Sequence, residues 1–306
     1  MKENPFFNEA KLMLHALPYV MEHDFFALKG GTAINLFVRD MPRLSVDIDL
    51  TYLPIEDRSI SLKNIHDALE TTAEKLKRIL FLNVTPLKNK ATGHVNKLLV
   101  RNSQTQIKVE ISEIVRGSVY PCEQRDLVRS AQNMFEMSAT IKCLSEPDIY
   151  GGKICAALDR QHPRDFFDVK YLLDGVGVTE KIKTAFIVYL ISHNRPIAEL
   201  LDPQPQNIEL LYKEQFEGMT IKETPLKDLY RARDQLLAAL QKSFTEENKK
   251  FILSFKSGTP KWKLLNVDNA DQLPSINWKL TNIKKMPPAK HKQAIDKLEK
   301  ILSSKY

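Results

Sequence analysis

Two aspartates separated by one residue, Asp47 and Asp49, stand in the run VDIDLTY at positions 46–52. The alternation of a strand sends both to one face and Val46, Ile48, Leu50 and Tyr52 to the other. Carboxylates held this close repel each other and are costly to strip of water. A divalent cation removes that cost, and hard oxygen ligands suit Mg²⁺, with Mn²⁺ as a substitute. Upstream, Lys29, Gly30, Gly31 and Thr32 follow a short apolar run at 25–28 that reads as a buried strand. The glycine pair allows a tight turn and close backbone approach to a ligand. The helix expected at 32–38 then offers its first N–H groups to phosphate. A phosphate cradle followed by paired carboxylates suits nucleotidyl transfer, one element holding an NTP and the other its metal. A D-x-D taken alone is far more often a solvated strand end; the glycine pair at this spacing favours the chemical reading.

The residues Lys29-Gly30-Gly31-Thr32, then Arg43, Ser45 and Asp47-Ile48-Asp49-Leu50, resemble the first motif of the AbiEii/AbiGii toxin nucleotidyltransferases, within the polymerase-β-type superfamily. A second stretch, IYGGKICAALDRQHPRDFFDVKYLL, is similar to the family's other signature. Lys153 and Arg160 match its helical Lys and following Arg; Arg164, Asp165 and Asp168 match the Arg-Asp-x-x-Asp that opens the next helix. The resemblance covers about residues 25–175. It implies that Gly30, Gly31 and Thr32 cradle phosphates, that Lys153 and Arg160 serve the triphosphate, and that Lys153 neutralises transition-state charge. Asp165 and Asp168, three apart on one helix face, would orient Lys153 or Arg160 or contact the nucleotide. A salt-bridged helix pair would account for Arg164, Asp165 and Asp168 alone. The residue before the family's Lys is usually acidic; here it is Gly152.

In the strand expected at 106–111, Ile107, Val109 and Ile111 share one face, and Lys108 and Glu110 the other. The resemblance makes Glu110 the third carboxylate, which holds metal or deprotonates the attacking hydroxyl; an exposed strand glutamate is the plain alternative.

Further strands are expected at 81–85, 95–100 and 140–144, and helices at 5–23 and 60–80. Ser145, Pro147 and Asp148 form a helix start, which sets an expected boundary between a core at 1–144 and a helical domain at 145–306. In that second part, helices are expected at 182–192, 206–216, 225–243, 246–255 and 288–302, with 262–286 irregular. The fold class is therefore α+β: a nucleotidyltransferase core with a mixed β-sheet flanked by helices, then a C-terminal helical domain.

The chain nets +7 over 306 residues, unevenly. From position 249 onward it holds 13 lysines and no arginine against 4 carboxylates, which leaves the remainder slightly acidic. A basic end suits a polyanionic partner such as RNA, with Lys279, Lys284, Lys285, Lys290 and Lys292 as candidate phosphate contacts; a solvated lysine-rich helix is the alternative. Trp262 and Trp278 could stack on unpaired bases or anchor the tail to the core. Three cysteines without metal-ligand spacing, no apolar run long enough to cross a membrane, and an N-terminus without a signal-peptide core together predict a cytoplasmic chain. The resemblance implies a toxin held in check by a cognate antitoxin and acting on the 3′ end of tRNA. A small-molecule, antibiotic-modifying nucleotidyltransferase is the rival reading, followed by a non-catalytic RNA- or protein-binding module.

Overall fold

The computed structural model describes residues 5–306. It divides into two compact units: residues up to Ser145 together with Glu217–Glu223, and Glu146–Phe216 together with Thr224–Tyr306.

The first unit is built on a mixed sheet. Its elements run α1 (Pro5–Val20), β1 (Phe26–Lys29), a helical turn α2 (Gly30–Ala33) that widens into a π-helical turn at Ile34–Val38, β2 (Asp47–Tyr52), α3 (Arg58–Leu80), β3 (Asn83–Lys88), β4 (Val95–Arg101), β5 (Gln106–Ile111), β6 (Glu123–Asp126), α4 (Arg129–Phe135) and β7 (Thr140–Cys143). Among the described residues seven strands form one sheet, in the order β3-β4-β5-β2-β1-β7-β6. β1 runs antiparallel to β2 and parallel to β7, and β2 runs parallel to β5. Parallel pairing of β2 with β5 needs a crossover; α3 and the β3–β4 hairpin supply it.

One face of the sheet is a continuous apolar layer. Leu28, Ile48, Leu50, Leu98, Val100, Ile107, Val109 and Ile111 are all 2% exposed or less. The apolar stripe of α3, with Ile65, Leu69, Ala73 and Leu76 at three- and four-residue spacing, is buried with them. Of the β3, β4 and β5 residues that point the other way, Thr85, Leu87, Arg101, Lys108 and Glu110 are exposed.

The excursion at Glu217–Glu223 has no signature in the local sequence. Arg43 and Thr220 form an antiparallel bridge, flanked by hydrogen bonds from Leu44 N–H to the Met219 carbonyl (2.9 Å) and from Ile221 N–H to the Pro42 carbonyl (3.0 Å). These contacts join residues about 175 positions apart in sequence, a separation no local pattern encodes.

The second unit is helical: α5 (Glu146–Arg160), α6 (Pro163–Asp174), α7 (Glu180–Ser192), α8 (Ile197–Leu201), α9 (Glu209–Gln215), α10 (Leu226–Ser243), α11 (Glu246–Lys256), α12 (Pro274–Lys284) and α13 (Pro288–Lys305). At Gly151 α5 packs closely on α7; a β-carbon there would sit 2.8 Å from the Phe186 backbone nitrogen. The segment expected to be irregular at 262–286 instead holds α12, which starts on Pro274 and buries Ser275, Ile276 and Ile283. Its cap residue is Leu273, without a polar side chain to announce a helix start.

Candidate active site

In the first unit the strand register decides which charges meet. Asp49 is the Cα partner of Lys29 on β1 and of Glu110 on β5, and Glu110 is in turn the partner of Lys97 on β4. Cross-strand partners point to the same face, so Lys29, Asp49, Glu110 and Lys97 form one row across four strands. Asp47 and Lys108 form the neighbouring row, with the Lys108 ammonium 3.8 Å from an Asp47 carboxylate oxygen. Glu110, about half exposed, lies 3.2 Å from the Lys97 ammonium. Burial lowers the Lys29 pKa, opposed by the negative charges of Asp49 and Glu110.

The glycine turn is fitted around these groups. Gly30 has φ +69°, and a β-carbon on it would stand 2.7 Å from Oδ2 of Asp49. A β-carbon on Gly31 would stand 2.6 Å from Nη2 of Arg43. Arg43 is 2% exposed and donates to the Leu44 carbonyl at 2.8 Å. The Thr32 hydroxyl donates to the Asp47 carbonyl and shares a 2.9 Å hydrogen bond with the Ser45 hydroxyl. Asn35, in the π-helical turn, donates to the Gly31 carbonyl at 2.9 Å. Arg43, Ser45 and Thr32 thus tie the turn to the acidic strand. The Thr32 hydroxyl is therefore engaged within the protein.

In the second unit α5 and α6 bring together most of the other motif. Lys153, 5% exposed at its side chain, lies 2.7 Å from Asp165 Oδ1 and 3.0 Å from Asp168 Oδ2, both carboxylates being fully buried. Arg160 makes a two-pronged contact with Asp165, at 2.6 Å from Nε and 2.9 Å from Nη2, while its side chain stays more than half exposed. Burial works to raise the Asp165 pKa, but Lys153 and Arg160 overcome it and hold the carboxyl well below the usual range. His162 caps α6 by accepting from the Arg164 N–H at 3.2 Å and approaches the Gln215 side chain at 3.1 Å. Burial lowers the His162 pKa, so its neutral form is favoured. Arg164 itself stands half-buried in the first turn of α6.

Residues 11–282 match the model of a family described as nucleotidyl transferase AbiEii toxin, type IV TA system. The chain belongs to the AbiEii nucleotidyltransferase toxin family. Membership makes it an NTP-dependent nucleotidyltransferase of a family that works with a divalent metal and is paired with an antitoxin. The fold is similar to that of MenT4, a nucleotidyltransferase toxin from Mycobacterium tuberculosis H37Rv, with a TM-score of 0.59 and 12% identity over 91% of this chain and 94% of that one. No curated protein matches the sequence.

The AbiEii acid pair fits a magnesium-type cation. Among the described residues no group of three or more His, Cys, Asp or Glu side chains is arranged to hold a metal by itself. Mg²⁺ bound through one or two carboxylates takes its remaining ligands from water and substrate phosphates. Asp47 and Asp49 would make such a pair, and the absent side chain of Gly30 keeps the space beside Asp49 clear.

The five tail lysines differ in setting. Lys284, Lys285, Lys290 and Lys292 are exposed on α12, its end and α13. Lys279 is half-buried; its ammonium donates to the carbonyls of His193 and Asn194, and burial pushes its pKa down to about 8. Trp262 packs on Phe251 at 5.3 Å between ring centres, whereas Trp278 is 44% exposed. Lys97 and Lys108 belong to no motif in the sequence, yet they stand against Glu110 and Asp47. Alternation puts Lys108 and Glu110 on one face, but only the register shows that they stand beside Asp47 and Asp49. Among the described residues no helix is long and apolar enough to cross a membrane.

Proposed function

We propose that this AbiEii-family enzyme transfers a nucleotide from an NTP–Mg²⁺ complex to the 3′ hydroxyl of an RNA, tRNA being the acceptor whose exposed 3′ end best suits the reaction. The observation carrying this reading is the row Lys29, Asp49, Glu110, Lys97, with Asp47 beside it on the same sheet face. Asp47 and Asp49 would hold the cation, whose charge would offset that of the departing pyrophosphate and favour attack by the acceptor hydroxyl. Gly30, Gly31 and the Thr32 backbone accommodate the phosphates, and Lys29 adds positive charge next to them. Glu110 is the third carboxylate and takes the proton of the acceptor hydroxyl on its exposed carboxylate oxygen.

Lys153 and Arg160 supply positive charge to the triphosphate. Asp165 and Asp168 act as positioning residues, since Asp165 holds both cations at hydrogen-bonding distance. Lys284, Lys285, Lys290 and Lys292 contact RNA phosphates. The enzyme works in the cytoplasm, where tRNA and NTPs are found, under the control of an antitoxin.

The test is transfer from α-phosphate-labelled NTPs, in the presence of Mg²⁺ or Mn²⁺, to unfractionated tRNA and, in parallel, to a panel of hydroxyl-bearing antibiotics. Label on the RNA 3′ end supports the reading. Label on the antibiotics alone would replace it with the small-molecule reaction.

A further inference from the structure

Residues 75–109 contain eight lysines and arginines and not a single aspartate or glutamate. They cover the end of α3 and all of β3 and β4, and reach into β5, the half of the sheet that ends in the acidic row. Strand pairing then sorts these charges by face. Lys97 and Arg101 on β4 lie four residues apart on the same face, with Leu99 between them; Leu99 pairs with Lys108, and Leu87 on β3 pairs with Lys97. This is the face of Asp47, Asp49 and Glu110. The opposite face is the buried apolar layer, whereas here Arg101 and Lys108 are exposed, Lys97 and Leu99 partly so, and Leu87 is 37% exposed.

We propose that this open face of β3, β4 and β5 is the docking surface for the sugar–phosphate backbone of the acceptor RNA, with Lys97, Arg101 and Lys108 meeting its phosphates. The inference rests on the RNA-acceptor reading above and names where on the first unit that acceptor lies. Three observations select a nucleic-acid strand. The surface carries three cations against the single carboxylate of Glu110, so it complements a polyanion. It is continuous with the acid pair: adjacent strands are about 4.8 Å apart, which places Lys97 roughly 10 Å from Asp49, two strands away. A strand held there therefore ends within reach of the reacting groups. Leu87 and Leu99 break the basic surface with apolar patches that suit ribose and base faces better than an acidic peptide's carboxylates. The existing ion pairs leave the cations available, since Lys108 is 3.8 Å from Asp47, a loose contact, and Lys97 shares Glu110 with solvent.

The experiment measures binding of fluorescein-labelled unfractionated tRNA to the full chain across a salt series, without NTP or divalent cation. The variants are the neutral triple Lys97→Gln/Arg101→Gln/Lys108→Gln and the charge-retaining triple Lys97→Arg/Arg101→Lys/Lys108→Arg. The neutral triple is expected to bind at least about tenfold more weakly at low salt. Its log–log salt slope should fall by about two, at roughly 0.7 per single-strand phosphate contact. The charge-retaining triple should recover both. A neutral triple with wild-type affinity and slope overturns the surface, as does one that loses binding to polyglutamate while holding tRNA normally, which would make this an acidic-protein site. Wild-type enzyme that labels RNA while the neutral triple binds tRNA normally sinks this inference alone. Wild-type enzyme that neither binds nor labels RNA sinks the acceptor reading and this inference with it.

Discussion

A β-carbon on Gly30 would stand 2.7 Å from Oδ2 of Asp49, so the turn and the carboxylate share space that only glycine leaves open. Gly30 also has φ +69°, the left-handed region that costs other residues roughly 1–2 kcal/mol. Gly30→Ala is therefore expected to lower stability by about that amount and to push Asp49 out of place. Nucleotide transfer should drop by at least about tenfold, more than the folded fraction does. Thermal melting together with label transfer checks it; full activity in the variant would mean that the Asp49 position is not constrained by the turn.

Neighbouring glycines on α5 should respond in opposite ways. A β-carbon on Gly151 would meet the α7 backbone at 2.8 Å, whereas one on Gly152 meets nothing within 4 Å. Gly151→Ala should cost about 1–3 kcal/mol through overpacking. Gly152→Ala should gain about 0.5–1 kcal/mol from helix propensity. Urea denaturation of the two variants measures both signs.

The strand alternation and the helix periodicity made most of these elements readable. Val46 to Tyr52 and Gln106 to Ile111 alternate cleanly, and their acidic residues lie on the face that alternation indicates. What stayed hidden was non-local. The pairing of Asp49 with Glu110 depends on how β2 and β5 align across an intervening helix and hairpin, and nothing within either strand sets that alignment. The burial of Arg43 depends on a segment near Met219. β6, Glu-Gln-Arg-Asp, is a short edge strand with no apolar alternation, so its sequence looks like a loop. Lys279 reads as one more tail lysine, and only the fold shows it bound to the end of α7.

Asp165 sits fully buried between Lys153 and Arg160, and its pKa is held low. Its folded pKa is depressed, so its contribution to stability is complete above about pH 3.8, its ordinary value, and is lost as pH falls towards the depressed value. Asp165→Asn should remove roughly 3–5 kcal/mol at neutral pH, the cost of breaking a buried pair from one side, and flatten the acid limb of the stability profile. Denaturation at a series of pH values tests this; a variant with the wild-type acid limb would assign that limb to other carboxylates.

Lys153→Ala is expected to reduce turnover by two or more orders of magnitude, about 3–4 kcal/mol of barrier. Lys153→Arg should restore it only in part, because a planar guanidinium does not fit where an ammonium touches two carboxylates. Single-turnover rates on the folded fraction separate this from the loss of stability. Wild-type turnover in Lys153→Ala would leave the residue a purely structural partner of Asp165 and Asp168.

In the tail, Lys284→Glu/Lys285→Glu should raise the KM for RNA and reduce the salt slope of binding by about 1.4–2, for two contacts. NTP binding should not change. Lys279→Met should behave differently, lowering the melting temperature while leaving the slope alone, because its ammonium serves the carbonyls of His193 and Asn194. Titration of RNA binding across salt, alongside melting curves, distinguishes the two groups.

The most direct measurement of the central claim is transfer from α-phosphate-labelled NTPs to tRNA by Asp47→Asn and Asp49→Asn, each compared with wild type at saturating Mg²⁺. Both variants should melt near the wild-type temperature, since the two carboxylates are partly exposed on their strand. Transfer should fall below detection in each, because on the proposed reading the cation opposite the leaving pyrophosphate would lose a ligand. Undiminished transfer by either folded variant would contradict the assignment of this sheet face as the catalytic centre.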